Sequence, residues 1–169
     1  YVMFLNIDGT AKGFQKISTD TETTLSVSDY AYFGSSIACA GDLNGDGIND
    51  MVVGASNDSG FRYYDLTLKE GIGAIHLLML NQDGSVQSSH KITEGIGGGP
   101  QLGDYDFGIS VAAIGDLNED GSIDLAVGAP KVNGDGVSDS GAIFTLFLSP
   151  PNAPPAVTLQ NTTSTFEEY

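Results

Sequence analysis

Asp42-Leu43-Asn44-Gly45-Asp46-Gly47-Ile48-Asn49-Asp50 returns as Asp116-Leu117-Asn118-Glu119-Asp120-Gly121-Ser122-Ile123-Asp124. Side-chain oxygens stand at the first, third, fifth and ninth positions of both copies: Asp42, Asn44, Asp46 and Asp50, then Asp116, Asn118, Asp120 and Asp124. A hard cation such as calcium needs that all-oxygen donor set. Gly47 and Gly121, at the sixth position, supply a positive-φ turn that folds each loop back on itself. Two copies in one local context point to two Ca2+ sites. An ion-free pair of Asx-rich turns would instead leave the three donor-position carboxylates of each loop repelling one another.

The apolar residues around the loops set the fold. Ser36–Ala40 precedes the first loop and Asp50–Ala55 follows it; Ser110–Ile114 and Asp124–Ala129 flank the second. Gly73–Leu80 and Gly141–Leu148 read as third strands, and Val86–Ile92 as a fourth. These are β-formers bounded by Gly, Asn and Asp. Met51-Val52-Val53 and Leu125-Ala126-Val127 are apolar at successive positions, as strands covered on both faces must be. No window holds a helical period, so the expectation is an all-β chain.

The strands recur as a unit. Phe33-Gly34 maps to Phe107-Gly108, and Gly54-Ala55-Ser56 to Gly128-Ala129-Pro130, at a shift of 74. Asn6, Asp8, Gly9, Lys16 and Ile17 map to Asn81, Asp83, Gly84, Lys91 and Ile92 at a shift of 75. Gly73-Ala74-Ile75 returns at Gly141 at a shift of 68, which places six extra residues of the first copy within Asn57 to Gly71. Asp8-Gly9 and Asp83-Gly84 read as hairpin turns. The divisions expected are 1–30, the second half of a unit; 31–95 and 96–149, one unit with an acidic loop each; and 150–169, a Pro-rich linker or tail leading out after a third strand.

The phenylalanine-glycine pair, the acidic loop and the Gly-Ala-Pro segment, in that order, resemble the FG-GAP repeat of integrin α-subunit-like β-propellers over about Tyr1 to Pro150. The resemblance implies antiparallel four-stranded blades and a partial propeller of about two to two and a half blades, beside the roughly seven of a closed ring. It also implies one calcium per loop and adds the Ile48 and Ser122 carbonyls to the ligands. Neighbouring blades, from the same or another polypeptide, are the partners it implies. Ser56 departs from the pattern where the first Gly-Ala-Pro has no proline.

Composition excludes several other classes. With 169 residues, a net charge of −16 and six Lys and Arg, the chain lacks the clustered basic residues that nucleic acid or anionic membranes require. No apolar run approaches the ~18 residues of a spanning helix. The start at Tyr1 reads as a processed or trimmed product. Cys39 has no second cysteine to pair with and reads as a small buried strand residue.

An EF-hand closes on a carboxylate at its twelfth position, which here is Val53 or Val127. Magnesium's strict octahedral shell suits such loops less well, and softer metals prefer His or Cys. Affinity in the extracellular range, on the order of 10⁻⁵–10⁻³ M, is expected. Gly95 to Gly103 lacks a following Gly-Lys-Ser/Thr and reads as a crossing between units rather than a phosphate cradle.

His76 and His90 have no nucleophile or acid at a catalytic spacing, and Asp135 and Asp139 read as a solvated turn. Asn161 and Asn57 begin glycosylation triplets. The expectation is a non-catalytic, calcium-binding module of an extracellular or cell-surface protein, serving adhesion or structural assembly and open to a protein or glycan ligand. The alternative is an accessory or glycan-binding region of a secreted hydrolase or lyase, with Phe61, Tyr63 and Tyr64 as a stacking surface.

Overall fold

The computed structural model describes residues 1–58, 71–102, 106–133 and 137–149, and the backbone of 158–159. Among these there is no helix, and ten strands form three antiparallel sheets. The first sheet is a hairpin of β1 (Val2–Leu5) and β2 (Ala11–Gln15). The second runs β3 (Phe33–Gly41), β4 (Asp50–Ala55), β5 (Ala74–Leu80) and β6 (Val86–Ile92) in chain order. The third runs β7 (Ser110–Gly115), β8 (Asp124–Ala129), β9 (Ala142–Phe147) and β10 (Thr158–Leu159), also in chain order. This is the all-β, four-stranded antiparallel architecture expected of partial propeller blades.

β4, β6 and β8 occupy the residues predicted for them. β5 and β9 begin one residue later than predicted, because Gly73 and Gly141 have φ of 87° and 78°, outside the extended region. β3 begins at Phe33 rather than Ser36 and carries a register irregularity between the two. β10 corrects the expectation of three strands followed by a departing linker. Thr158 and Leu159 pair with Phe147 and Leu146, so these two residues lie on the sheet. They follow the last proline and keep the backbone N–H groups that a ladder needs.

The hairpin turns repeat as the sequence repeats. Asn6 N donates to Thr10 O at 2.8 Å, and Asn81 N to Ser85 O at 2.9 Å. Asp8 Oδ1 accepts from Thr10 N at 2.9 Å, and Asp83 Oδ1 from Ser85 N at 3.0 Å. In both aspartates the hydroxyl of the following Thr or Ser, and then its backbone N–H, holds the carboxyl below its ordinary pKa.

The central strands of the second sheet, β4 and β5, are buried on both faces, as their apolar runs require. Val52, Ile75, Leu77 and Ile92 pack with Leu125, Val127 and Leu146 of the third sheet. Val53, Leu78, Leu80 and Val86 pack with Leu25, Ile17 and Val27 on the other side.

The motif glycines are where consecutive units touch. A Cβ added to Gly54 would lie 2.0 Å from Gly108 O, and one on Gly73 would lie 2.1 Å from Phe107 O. Ser36 Oγ donates to Gly108 O at 2.8 Å, and Phe107 N to Ile72 O at 3.1 Å. Phe33 meets His76 edge-on at 5.5 Å between ring centroids. One unit later Phe107 meets Phe144 at 5.7 Å, and 144 is 76 at the shift of 68.

Cys39 is exposed, against the expectation of a buried residue. It shares a face of β3 with Ile37, itself 59% exposed, because the two-stranded first sheet does not cover that edge.

Candidate functional site

Each acidic loop joins the first two strands of a four-stranded sheet, and its own backbone amides organise it. In the first loop Asp42 Oδ1 accepts from Gly45 N at 2.7 Å and Asp46 N at 3.1 Å, while Oδ2 accepts from Gly47 N at 2.7 Å. These bonds, the one from Gly47 foremost, hold the Asp42 carboxyl below the ordinary carboxylate range. Asn44 Nδ2 donates to Asp46 Oδ2 at 2.9 Å, and Asp46 Oδ1 accepts from Ile48 N at 2.8 Å. The second loop repeats the arrangement. Asp116 accepts from Asp120 N and Gly121 N at 3.0 and 2.8 Å, Asn118 Nδ2 donates to Asp120 Oδ2 at 2.9 Å, and Ser122 N donates to Asp120 Oδ1 at 2.9 Å.

The ninth-position aspartates have a second role that sequence reasoning missed. Asp50 is 2% exposed and Asp124 fully buried. Asp50 Oδ2 accepts from Leu43 N at 2.7 Å and Oδ1 from Leu80 N at 2.9 Å. Asp124 accepts from Leu117 N at 2.8 Å and Leu148 N at 3.2 Å. Each carboxylate therefore ties its loop to the far end of the third strand. Burial pushes the Asp50 carboxyl up, and the negative charges of Asp46 and Asp42 add to that rise.

The structure thus brings the first, third and fifth side chains of each loop into one hydrogen-bonded cluster, with the ninth anchored beside it. Among the described residues no three Asp, Glu, His or Cys side chains already face a common point as a cation shell. The carboxylates bond loop amides instead. The donor set is oxygen throughout and suits a hard cation. In the second loop the buried Ser122 Oγ has no hydrogen-bond partner, which leaves a polar atom at that site to be satisfied.

The remaining predicted positions divide plainly. Asn57 Nδ2 donates to Tyr30 O at 2.8 Å, and its Oδ1 accepts from Gly71 N at 2.8 Å, so both ends of its carboxamide are engaged. Asn161, Asp135, Phe61, Tyr63 and Tyr64 lie outside the described residues. Asp139 N donates to Asn133 Oδ1 at 2.9 Å within an exposed turn. His76 pairs with Lys91 across β5 and β6 while His90 pairs with Leu77, which sets the two histidines on opposite faces.

His76 belongs to a buried ionic group. Asp58 Oδ2 lies 2.8 Å from Lys91 Nζ and 3.4 Å from His76 Nε2, and Asp58 Oδ1 accepts from Ser28 Oγ at 2.8 Å. Burial alone would raise Asp58, but the bonds from His76, Lys91 and Ser28 override it and hold the carboxyl far below its ordinary value.

Residues 33–78 match the family model described as the FG-GAP repeat, so the segment from the first phenylalanine-glycine pair through the first acidic loop carries that repeat. The chain is 44% identical to integrin alpha-3 of Mus musculus over 103 residues, 59% of this chain and 8% of that protein. It is 42% identical to integrin alpha-7 of Homo sapiens over 104 residues, 62% of this chain and 8% of that protein. Against integrin alpha-PS2 of Drosophila melanogaster the identity is 34% over 122 residues, 70% of this chain and 8% of the relative. The chain spans less than a tenth of the length of these three relatives. Among its described residues no helix is long and apolar enough to cross a membrane.

Proposed function

We propose that this chain is a non-catalytic, calcium-stabilised propeller module of an extracellular or cell-surface adhesion protein. The observation that carries the reading is the duplicated loop: two clusters of oxygen donors with the same internal bonds, at the same junction of two successive sheets. Similarity to integrin alpha proteins supports the setting. Asp42, Asn44, Asp46 and Asp50 with the Ile48 carbonyl would hold one ion, and Asp116, Asn118, Asp120 and Asp124 with the Ser122 carbonyl the other. A bound divalent cation supplies positive charge that relieves the repulsion among the three donor-position carboxylates of each loop. A ligand that binds only the folded chain stabilises it by about 2.7 kcal/mol per site at a hundredfold excess over Kd.

The partners are further sheets of the same kind. Ile75 is fully buried against the third sheet, whereas Ile143, its counterpart at the shift of 68, is 76% exposed on the outer face of that sheet. Met3 and Leu5 of the first hairpin are 59% and 60% exposed, while their counterparts at the shift of 75, Leu78 and Leu80, are buried. Both outer faces therefore carry residues that the same fold buries where a neighbour is present.

Thermal melts in calcium and in chelator test the metal reading. The midpoint should fall in chelator, and Asp46→Ala combined with Asp120→Ala should remove most of that difference. Superimposable melts of the unaltered chain would refute it.

A further inference from the structure

The two loops form a matched pair that differs in one chemically decisive respect. At the fourth position the first has Gly45 and the second Glu119, both left-handed with φ of 80° and 61°. Asn44 is consequently followed by a residue with no Cβ to shield its backbone nitrogen, and Asn118 by one that carries a full side chain. Gly45 is exposed and Asn44 half-buried, so water reaches both.

In the closed loop both reacting groups are engaged in hydrogen bonds. Gly45 N donates to Asp42 Oδ1 at 2.7 Å. The Asn44 carboxamide is fixed at both of its atoms: Oδ1 accepts from Asp46 N at 3.0 Å, and Nδ2 donates to Asp46 Oδ2 and to Gln87 Oε1, each at 2.9 Å. Turning the carboxamide carbon onto the Gly45 nitrogen requires these bonds to break together.

We propose that Asn44 is a site of spontaneous modification that opens with the loop. The Gly45 nitrogen loses its proton to solvent and attacks Asn44 Cγ. A Cγ–N bond forms, the Cγ–Nδ2 bond breaks, and the amide leaves as ammonia, giving a five-membered succinimide. Water then opens the ring. Cleavage of the new Cγ–N bond gives aspartate; cleavage of the original peptide bond gives isoaspartate, whose backbone runs through the former side chain. The sum is asparagine plus water giving a carboxylate plus ammonia, with no oxidation or reduction. Isoaspartate adds one methylene to the main chain between the third and fourth positions, which moves the fifth and later donors out of step with Asp42. The first loop then ages faster than the second, so the chain loses its two sites unequally. The loss of a site rests on the calcium reading, whereas the modification itself does not, because the protecting bonds lie within the protein.

The test is peptide mapping by mass spectrometry, with enzymatic methylation of isoaspartate, on the whole chain at mildly alkaline pH in native buffer and in concentrated urea. In urea the Asn44 peptide should gain about one dalton, the difference between an amide and an acid, more than an order of magnitude faster than the Asn118 peptide. In native buffer the Asn44 reaction should slow by a similar factor. Glu119→Gly should bring the urea rate at Asn118 up to that at Asn44, a comparison that does not require the variant to fold. Equal rates at Asn44 and Asn118 in urea would overturn the chemistry. Equal rates at Asn44 in native buffer and urea would overturn the protection.

Discussion

Asp46 and Asp50 share a loop, yet their side chains have different tasks. Asp46 bonds only groups of its own loop, whereas Asp50 satisfies two amides, one of them 30 residues away. In chelator, Asp50→Ala should lower stability by at least about 2 kcal/mol, since it strands N–H donors at a buried position. Asp46→Ala should stay within about 0.5 kcal/mol under the same conditions, as exposed substitutions do. Denaturant titration of both variants separates the anchoring carboxylate from the one confined to its loop. The clustering of the first, third and fifth side chains was legible in the sequence because their spacing is local. The anchor was not, because Leu80 and Leu148 contribute through backbone N–H groups that no residue type reveals.

Asp58 gives the acid response. Its folded pKa lies below the unfolded value, so its stabilisation is complete above the ordinary carboxylate pKa of about 4 and drains away as pH falls below it. The thermal midpoint should therefore drop on acidification below pH of about 4, and less steeply in Asp58→Asn than in the parent. At neutral pH that variant should already be less stable, because it leaves Lys91 only 14% exposed without its carboxylate partner.

At the level of strands and turns, the glycines of the repeat signature are close-approach residues. Gly108 has φ of 87°, and a Cβ there would sit 2.4 Å from Ala74 O. Gly108→Ala should destabilise by at least about 2 kcal/mol through overpacking and backbone strain, read from denaturant midpoints. Gly9→Ala, where a Cβ meets nothing within 4 Å, should cost less. The strand pattern was largely legible: β4 and β8 are apolar, β-branched runs with a loop on one side and Gly-Ala on the other. β10 was not, because two residues after a Pro-rich stretch carry no period. Nor was the exposure of Cys39, which follows from how little of β3 the first sheet covers.

For the molecule as a whole, burial is graded by neighbours. Ile75→Ala, in the covered sheet, should destabilise by about 2–5 kcal/mol. Ile143→Ala should change the stability of this chain by less than about 0.5 kcal/mol, although the two residues occupy the same place in their units. Comparable losses at both positions would mean that the outer face of the third sheet is covered in solution. The sequence, written as repeats, implied equal burial at the two positions; only the stacking order of the sheets tells them apart.

Phe107 and Gly108 belong to the third sheet by sequence, yet they press on the backbone of the second. A ribosome releases the chain from its amino end, so the second sheet stays unsealed on one side until those two residues and the third sheet behind them emerge. Each unit is thus finished by its successor. A pause when Ile92 has left the exit tunnel and Phe107 has not leaves Val52, Ile75 and Leu77 open to whatever chaperone stands there.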